Sequence, residues 1–402
     1  MSTTFVILAT ILAAGVILFW PRLTGNPLWR ATITPLASII GSGFLVAGPI
    51  LGQVASHGAV IAMAGLCLIA WLFGTAIRYN IGHVETISTV STTGRVIRKL
   101  QTLSQAVLAF AYIISVAYYL NLFGAFLLKI WGVTDPWKIN LVTTSVLAGL
   151  GWVGLKRGLD GLELVELGAV GIKLAVIAGL IAGLTIVGVN ADWTSISFTQ
   201  VKTPGTDEIR VLFGLVILVQ GFETSRFLGH KYDAPTRIRT MKYAQVISTL
   251  IYIAFIGLLT PFLVADLPAQ GGETAIIDIL KPHIAIAGSL IILAALMSQL
   301  SAAIADTSGG GGLLAELTGN RSTANIGYTI ICGLAIALTW SSGIFQIIAY
   351  ASRAFALFYG LQAAIAALHA FNTGKRAQSA GFGLLVVLSL AITLLGKAAE
   401  GG

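Results

Sequence analysis

The 402-residue chain is 56% hydrophobic and only 10% charged, with a formal net charge of +8, whereas soluble domains carry about 25% charged residues. A soluble fold would have to hide nearly every helix face, so the composition excludes one and points to an all-α integral membrane protein. The basic residues sit in short clusters between apolar runs, without a basic stripe interleaved with aromatics, so the expected partners are a lipid bilayer and a small-molecule solute and not nucleic acid.

In chain order the apolar runs predict about twelve transmembrane helices, near 4–20, 32–52, 58–79, 103–128, 138–156, 162–188, 207–228, 240–265, 283–303, 324–341, 343–369 and 380–397. No polar stretch is long enough for a soluble domain, so 1–402 reads as one membrane domain. The first run, Thr4 to Trp20, lacks a basic n-region and a small-residue cleavage site, and reads as a retained helix. The loops then alternate in charge. Arg22 and Arg30 follow the first span; Arg78, Arg95, Arg98 and Lys99 the third; Lys156 and Arg157 the fifth; His230, Lys231, Arg237, Arg239 and Lys242 the seventh; Lys375 and Arg376 the eleventh. Intervening loops are neutral or acidic, with Asp192, Asp207 and Glu208 in one and Asp266, Glu273 and Asp278 in another. The positive-inside rule places the basic loops in the cytoplasm and both termini outside, with the nearly neutral 304–323 the exception. The compact loops suggest a bacterial inner membrane.

Two spans are interrupted. The second reads TPLASIIGSGFLVAGPILG, with Gly41, Ser42 and Gly43 in its middle. The seventh reads FGLVILVQGFETSRFLG, broken by Gln220, Gly221 and Glu223. Interior glycine weakens a helix by about 1 kcal/mol, and a break frees backbone groups that lipid cannot satisfy. Close packing through small residues is the alternative for either segment alone. The breaks lie five spans apart and, by the loop charges, run in opposite directions. That is the pattern of an inverted-repeat transporter with its site at the midplane.

At these residues the chain resembles the amino acid–polyamine–organocation superfamily of transporters with a LeuT-like fold. IIGSGFLVAGP at 39–49 resembles that family's unwound first core helix, and QGFET at 220–224 the break in its sixth. HKYDAPTRIRTMKYA at 230–244 is similar to the entry into core helix seven. The resemblance implies a 5+5 inverted repeat with interrupted core helices 1 and 6, the first repeat at 32–188 and the second at 207–369, flanked by an extra N-terminal helix at 4–20 and a C-terminal helix at 380–397. The extra first helix, and ALMSQLSAAIAD at 295–306, look more like solute–sodium symporters, relatives that share the fold.

The resemblance also implies a site. Amides of Ser42, Gly43 and Phe44, at the positive end of a half-helix, suit a carboxylate. Carbonyls of Ile39, Ile40, Val219 and Gln220, beside Gly221, suit an ammonium group or a cation. Tyr118, with Tyr119 and Asn121, could face a solute there, although membrane aromatics more often pack.

Lys173 stands deep in the sixth span, and an intramembrane lysine is a functional candidate, here for coupling. In some relatives a lysine of core helix five fills the space of a sodium ion, and Lys173 matches it by residue type and helix. A structural pair or a snorkelling side chain is the alternative. Ser298 and Ser301 could ligate sodium, or simply bond backbone one turn back. Glu223 reads as a proton-accessible coupling carboxylate or as half of an ion pair with Arg226; Arg353 looks buried, with Asp306 or Glu223 as conceivable partners.

Together these features predict a secondary active transporter of an amino acid or related amine, coupled to H+ rather than Na+ or working by exchange, with no cofactor. Alternatives are a sodium-coupled symporter of a sugar, carboxylate or nucleobase-like solute, and a non-transporting sensor or partner-dependent subunit. An enzyme is not expected, since the sequence offers no nucleophile–base pair, phosphate loop or metal-ligand cluster, and Cys67 and Cys332 lie apart in apolar runs.

Overall fold

In the computed structural model of the chain, the described residues are 3–41, 43–85, 92–133, 135–189, 205–263, 275–319, 323–341 and 344–397, and among them there is no β-strand. The helices are α1 (Thr3–Leu18), α2 (Pro21–Thr24), α3 (Pro27–Ile39), α4 (Gly43–Ala55), α5 (Ala59–His83), α6 (Thr92–Lys129) and α7 (Pro136–Val189). They continue as α8 (Thr206–Gly214), α9 (Ala234–Leu259), α10 (Ala275–Leu280), α11 (Ala287–Leu317), α12 (Ala324–Ser341), α13 (Ile344–Asn372) and α14 (Arg376–Leu395). Between α8 and α9 the chain tightens into two 3-10 segments, Leu215–Val219 and Phe222–Leu228.

Among the described residues eight segments are long and apolar enough to cross a membrane, and the difference from twelve has local causes. The 16-residue α1 is apolar but short. The second expected span is split after Ile39, where Ile40 leaves helical geometry at φ −89°, ψ 60°. The seventh is split at Gly221, whose φ of 110° is left-handed and disfavours a side chain. At 54 residues α7 would run about 80 Å if straight. It contains two of the expected spans, separated at Gly158, where φ 61°, ψ −152° turns the chain.

Local chemistry sets several ends. The Asn26 side chain caps α3 by accepting from the Leu28 amide at 2.9 Å, with Pro27 at the first helical position. Asp233 caps α9 in the same way, accepting from the Thr236 amide at 3.0 Å. These bonds to Thr236 hold the exposed Asp233 carboxyl below its ordinary range.

One element runs further than the hydropathy suggests. The apolar run near 283–303 continues as α11 to Leu317, so the segment 304–317, read from sequence as part of a loop, is helical. Four successive glycines, Gly309 to Gly312, lie inside it. At Gly310, Gly311 and Gly312 neighbours come too close for a side chain: a Cβ on Gly312 would lie 2.1 Å from the Phe227 carbonyl oxygen, and one on Gly311 2.1 Å from the Tyr328 ring. Packing outweighs glycine's poor helix propensity.

The interrupted elements are central. Ala31 through Ile39 are all buried, as are Phe222 through Leu228, a continuous burial expected of a helix enclosed by others. α3 packs on α7, α9, α11 and the 222–228 segment. By contrast α1 and α14 show apolar faces outward, Leu12 and Leu384 among them, which suits lipid contact.

Candidate functional site

The two breaks meet. A Cβ on Gly221 would fall 2.7 Å from the Ser38 carbonyl carbon, and one on Gly43 3.0 Å from the Leu218 Cα. Gly221 requires glycine because backbone passes backbone at a left-handed φ, and Gly43 brings α4 close against Leu218. Tyr252 of α9 joins them: its hydroxyl lies 3.0 Å from the Ile39 carbonyl oxygen and 2.7 Å from that of Leu218. The Tyr252 ring is fixed against Phe44, whose centroid is 5.4 Å away, and Phe44 packs in turn on Phe255 at 4.5 Å. Val219 is buried just before Gln220, and Ser42 lies outside the described residues.

Beside this junction Lys173 is fully buried. Its Nζ donates to the carbonyls of Ala37 at 2.9 Å and Ile40 at 2.6 Å, and to Ser301 Oγ at 2.7 Å. A lysine ammonium has three N–H donors, and all are used. It sits at the C-terminal end of α3, where the helix dipole and unpaired carbonyls favour a cation. Ser301 Oγ donates onward to the Ser298 carbonyl at 3.1 Å, and the buried Ser298 Oγ has no partner among the described residues.

A cluster of two buried carboxylates, Glu223 and Asp306, also lies at the breaks. Glu223 Oε2 accepts from its neighbour's amide, Gly221, at 2.9 Å and from the Tyr359 hydroxyl at 2.7 Å; Oε1 accepts from Tyr112 at 3.4 Å. Asp306 accepts from Ser38 Oγ at 2.8 Å and from Ser115 Oγ. The Gln220 amide reaches Tyr359 and Tyr119, at 3.4 and 3.5 Å. It is therefore Tyr119 that touches the break, while Tyr118 is half-buried with its ring 5.6 Å from that of Tyr119. Asn121 faces α7, donating to Asn140.

Two charge pairings read from sequence are not formed. Arg226 does not pair with Glu223: its guanidinium lies 3.8 Å from Glu85, bonds Gln362 and lies over the Phe227 ring. Arg353 is exposed rather than buried, and hydroxyl or amide donors serve Asp306 and Glu223 instead. Arg78, counted with a loop, is buried in α5 and bonds Gln245.

At the end carrying the basic loops, two networks close over the breaks. Arg237 grips Glu85 at 2.8 and 3.1 Å and bonds the Arg226 carbonyl oxygen at the short end of hydrogen-bond range. Glu163 of α7 accepts from Arg30 at 3.0 Å, Lys231 at 2.8 Å and Tyr232 at 2.8 Å. Sequence reading passed over Glu85, Glu163, Glu166 and Tyr252. The glutamates carried a legible signal, since Glu163 and Glu166 precede Lys173 on the same helix at helical spacing; Tyr252 carried none. Among the described residues no group of three metal-ligating side chains occurs.

A family model described as APC superfamily transporter matches residues 21–396. An uncharacterized protein of Aquifex aeolicus (strain VF5) is 40% identical over 384 residues, covering 94% of this chain and 93% of its own. Among solved structures, a Na+-coupled sialic acid symporter in a substrate-bound outward-open state aligns at TM-score 0.56 and 13% identity, over 100% of this chain and 99% of that one. A nucleobase-cation-symport-1 family transporter in a closed conformation aligns at 0.53 and 12%, over 92% and 90%. A manganese transporter of Eremococcus coleocola aligns at 0.53 and 14%, over 92% and 87%. These structures share the LeuT-like fold, which is the fold of this chain.

Proposed function

The chain belongs to the APC superfamily of transporters, and from that premise we propose that it carries an amino acid or related amine by alternating access, with the proton on Lys173 as its coupling charge. The observation that carries this reading is the triad of bonds from Lys173 Nζ to Ala37, Ile40 and Ser301, which ties the end of α3 to α7 and α11. The solute sits where the two breaks meet, its carboxylate toward the first amides of α4 and its amine toward the 219–221 backbone and the carboxylates beside it. The basic loops face the cytoplasm of a bacterial inner membrane, with the termini outside.

The coupling follows from counting donors. As an ammonium, Lys173 satisfies two carbonyls and a hydroxyl. As a neutral amine it has two N–H groups and one lone pair, so one N–H bond is lost: either a carbonyl goes without its donor, or Ser301 turns its hydroxyl to the amine and gives up its bond to Ser298. A hydrogen bond to a charged group is worth about 1.5–3 kcal/mol, roughly a ten- to hundredfold shift between a locked and a released α3. Release of α3 from α7 and α11 lets the broken elements move against the surrounding helices. A sodium ion would need the oxygens that Lys173 holds, which argues for proton coupling or exchange; the unpartnered hydroxyl of Ser298 is the feature that favours the sodium alternative.

The test is uptake of a labelled amino-acid pool into proteoliposomes under an inward proton gradient, an inward sodium gradient, or neither. Proton-driven uptake that is lost in Lys173→Ala is expected. Uptake driven by sodium alone would reverse the coupling assignment, and no uptake under any gradient would remove the amino-acid assignment.

A further inference from the structure

Lys173 is fully buried, so a proton that leaves it needs a route. α7 carries one. Glu163, Glu166 and Lys173 fall within about 80° of each other around the helix, on a stripe about 15 Å long. All three face α3 in rising order. Glu163 bonds Arg30, Glu166 bonds Thr34 Oγ1 at 2.8 Å, and Lys173 bonds Ala37 and Ile40. The lower end reaches the surface, because Glu163 is held by Lys231, which is 25% exposed.

The middle member is the anomaly. Glu166 is fully buried, and its Oε1 has no hydrogen-bond partner among the described residues. A buried carboxylate oxygen left without a donor is destabilising, and structural carboxylates are ordinarily saturated, as Glu163 is here. The charged and titratable groups around Glu166 are Glu163 and Lys173 on its own helix, Arg30 on α3, Asp306 on α11, and Lys231 and Tyr232 from the segment before α9. Lys173 is the cation among them that is buried with it.

We propose that Glu166 is the proton relay between Lys173 and the face carrying the basic loops. The inference rests on the assignment of Lys173 as the coupling group. The Lys173 ammonium gives one proton, through a single water on Glu166 Oε1, to the Glu166 carboxylate; the products are a neutral amine and a carboxylic acid. Glu166 then passes the proton to water at the Glu163 latch when the contacts of Arg30 and Lys231 part, and returns to its carboxylate. Refilling runs the same steps backwards. Glu166 thus sets the rate at which Lys173 changes charge, not how much charge it holds.

That distinction can be measured without knowing the solute. Proteoliposomes on a solid-supported membrane are given a pH jump, and the transient charge displacement is recorded with no solute present. The wild type should give a transient that Lys173→Ala lacks. Glu166→Gln, which keeps an acceptor for Thr34, should move the same total charge over a jump wide enough to titrate Lys173 completely, with relaxation about a hundredfold slower, the scale of a lost positioned acid–base group. Glu166→Asp, its carboxylate withdrawn by one methylene, should fall between the two. Wild-type relaxation in Glu166→Gln overturns the relay; if that variant does not fold, wild-type relaxation in Glu166→Asp does so. A transient that survives Lys173→Ala would instead remove the assignment of Lys173, whatever the Glu166 variants do.

Discussion

Replacing Tyr252 by phenylalanine isolates the link between the two breaks. The hydroxyl lies against two carbonyl oxygens, Ile39 at 3.0 Å and Leu218 at 2.7 Å, which close the two broken elements. The ring is fully buried and stays packed on Phe44, so the substitution removes a donor without opening a large cavity. With the site closed to water, leaving a buried carbonyl unpaired costs about 1–3 kcal/mol. That penalty applies only while the breaks are packed together; once they part, water can serve both oxygens. The equilibrium should therefore shift toward separated breaks by about five- to 150-fold. Amide hydrogen exchange read by mass spectrometry tests this, because exchange rates follow local opening. Peptides covering 36–46 and 214–224 should exchange faster in Tyr252→Phe by that factor, while peptides from α12 should not change. Equal exchange in the two proteins would refute the argument that Tyr252 holds the breaks together. Uniformly faster exchange everywhere would mean that the variant is globally destabilised and the link is not local.

Other substitutions follow from the same geometry. Gly221→Ala should be far worse than Gly43→Ala in yield of monodisperse protein, because the first combines a left-handed φ of 110° with a Cβ 2.7 Å from backbone, whereas the second has backbone no nearer than 3.0 Å and mainly displaces the tip of Leu218. Ser301→Ala should lower thermal stability by removing an acceptor worth about 1.5–3 kcal/mol to a charged donor; Ser298→Ala should change it by no more than about 0.5 kcal/mol, and sodium-dependent melting abolished by Ser298→Ala would contradict the lysine assignment. Arg237→Ala should raise the accessibility of the Glu85 region to a water-soluble carboxyl-reactive label, because it removes both bonds to Glu85 and the bond to the Arg226 carbonyl together.

What could be read from sequence divides along physical lines. Hydropathy and loop charge carry long-range information in single residues, so the membrane class and both interrupted helices were legible: Gly41–Gly43 and Gln220–Glu223 announce themselves against an apolar background. Lys173 was legible for the same reason. Pairings were not, because they depend on which helices become neighbours. Nothing local tells Arg226 to choose Glu85 over Glu223, three residues away on its own segment. The end of α11 failed differently. Four glycines argue against a helix by propensity, and only contact with Phe227 and Tyr328, distant in sequence, reverses that.

The cluster at the breaks also bears on why so many polar groups are tolerated there. Backbone carbonyls freed by unwinding α3 must find donors inside the protein. A bound solute could provide them, but here the single hydroxyl proton of Tyr252 serves Ile39 or Leu218 at a time, and Lys173 serves Ala37 and Ile40. The protein's own side chains therefore occupy groups that the sequence suggested were open to a ligand. Under the proposed coupling, a solute or a proton would act by competing for, or releasing, those partners. Tyr252 is neutral and can only exchange one acceptor for another, whereas Lys173 can change its number of donors by changing charge. The first property suits a hinge that opens and closes, and the second suits the step that decides when it does.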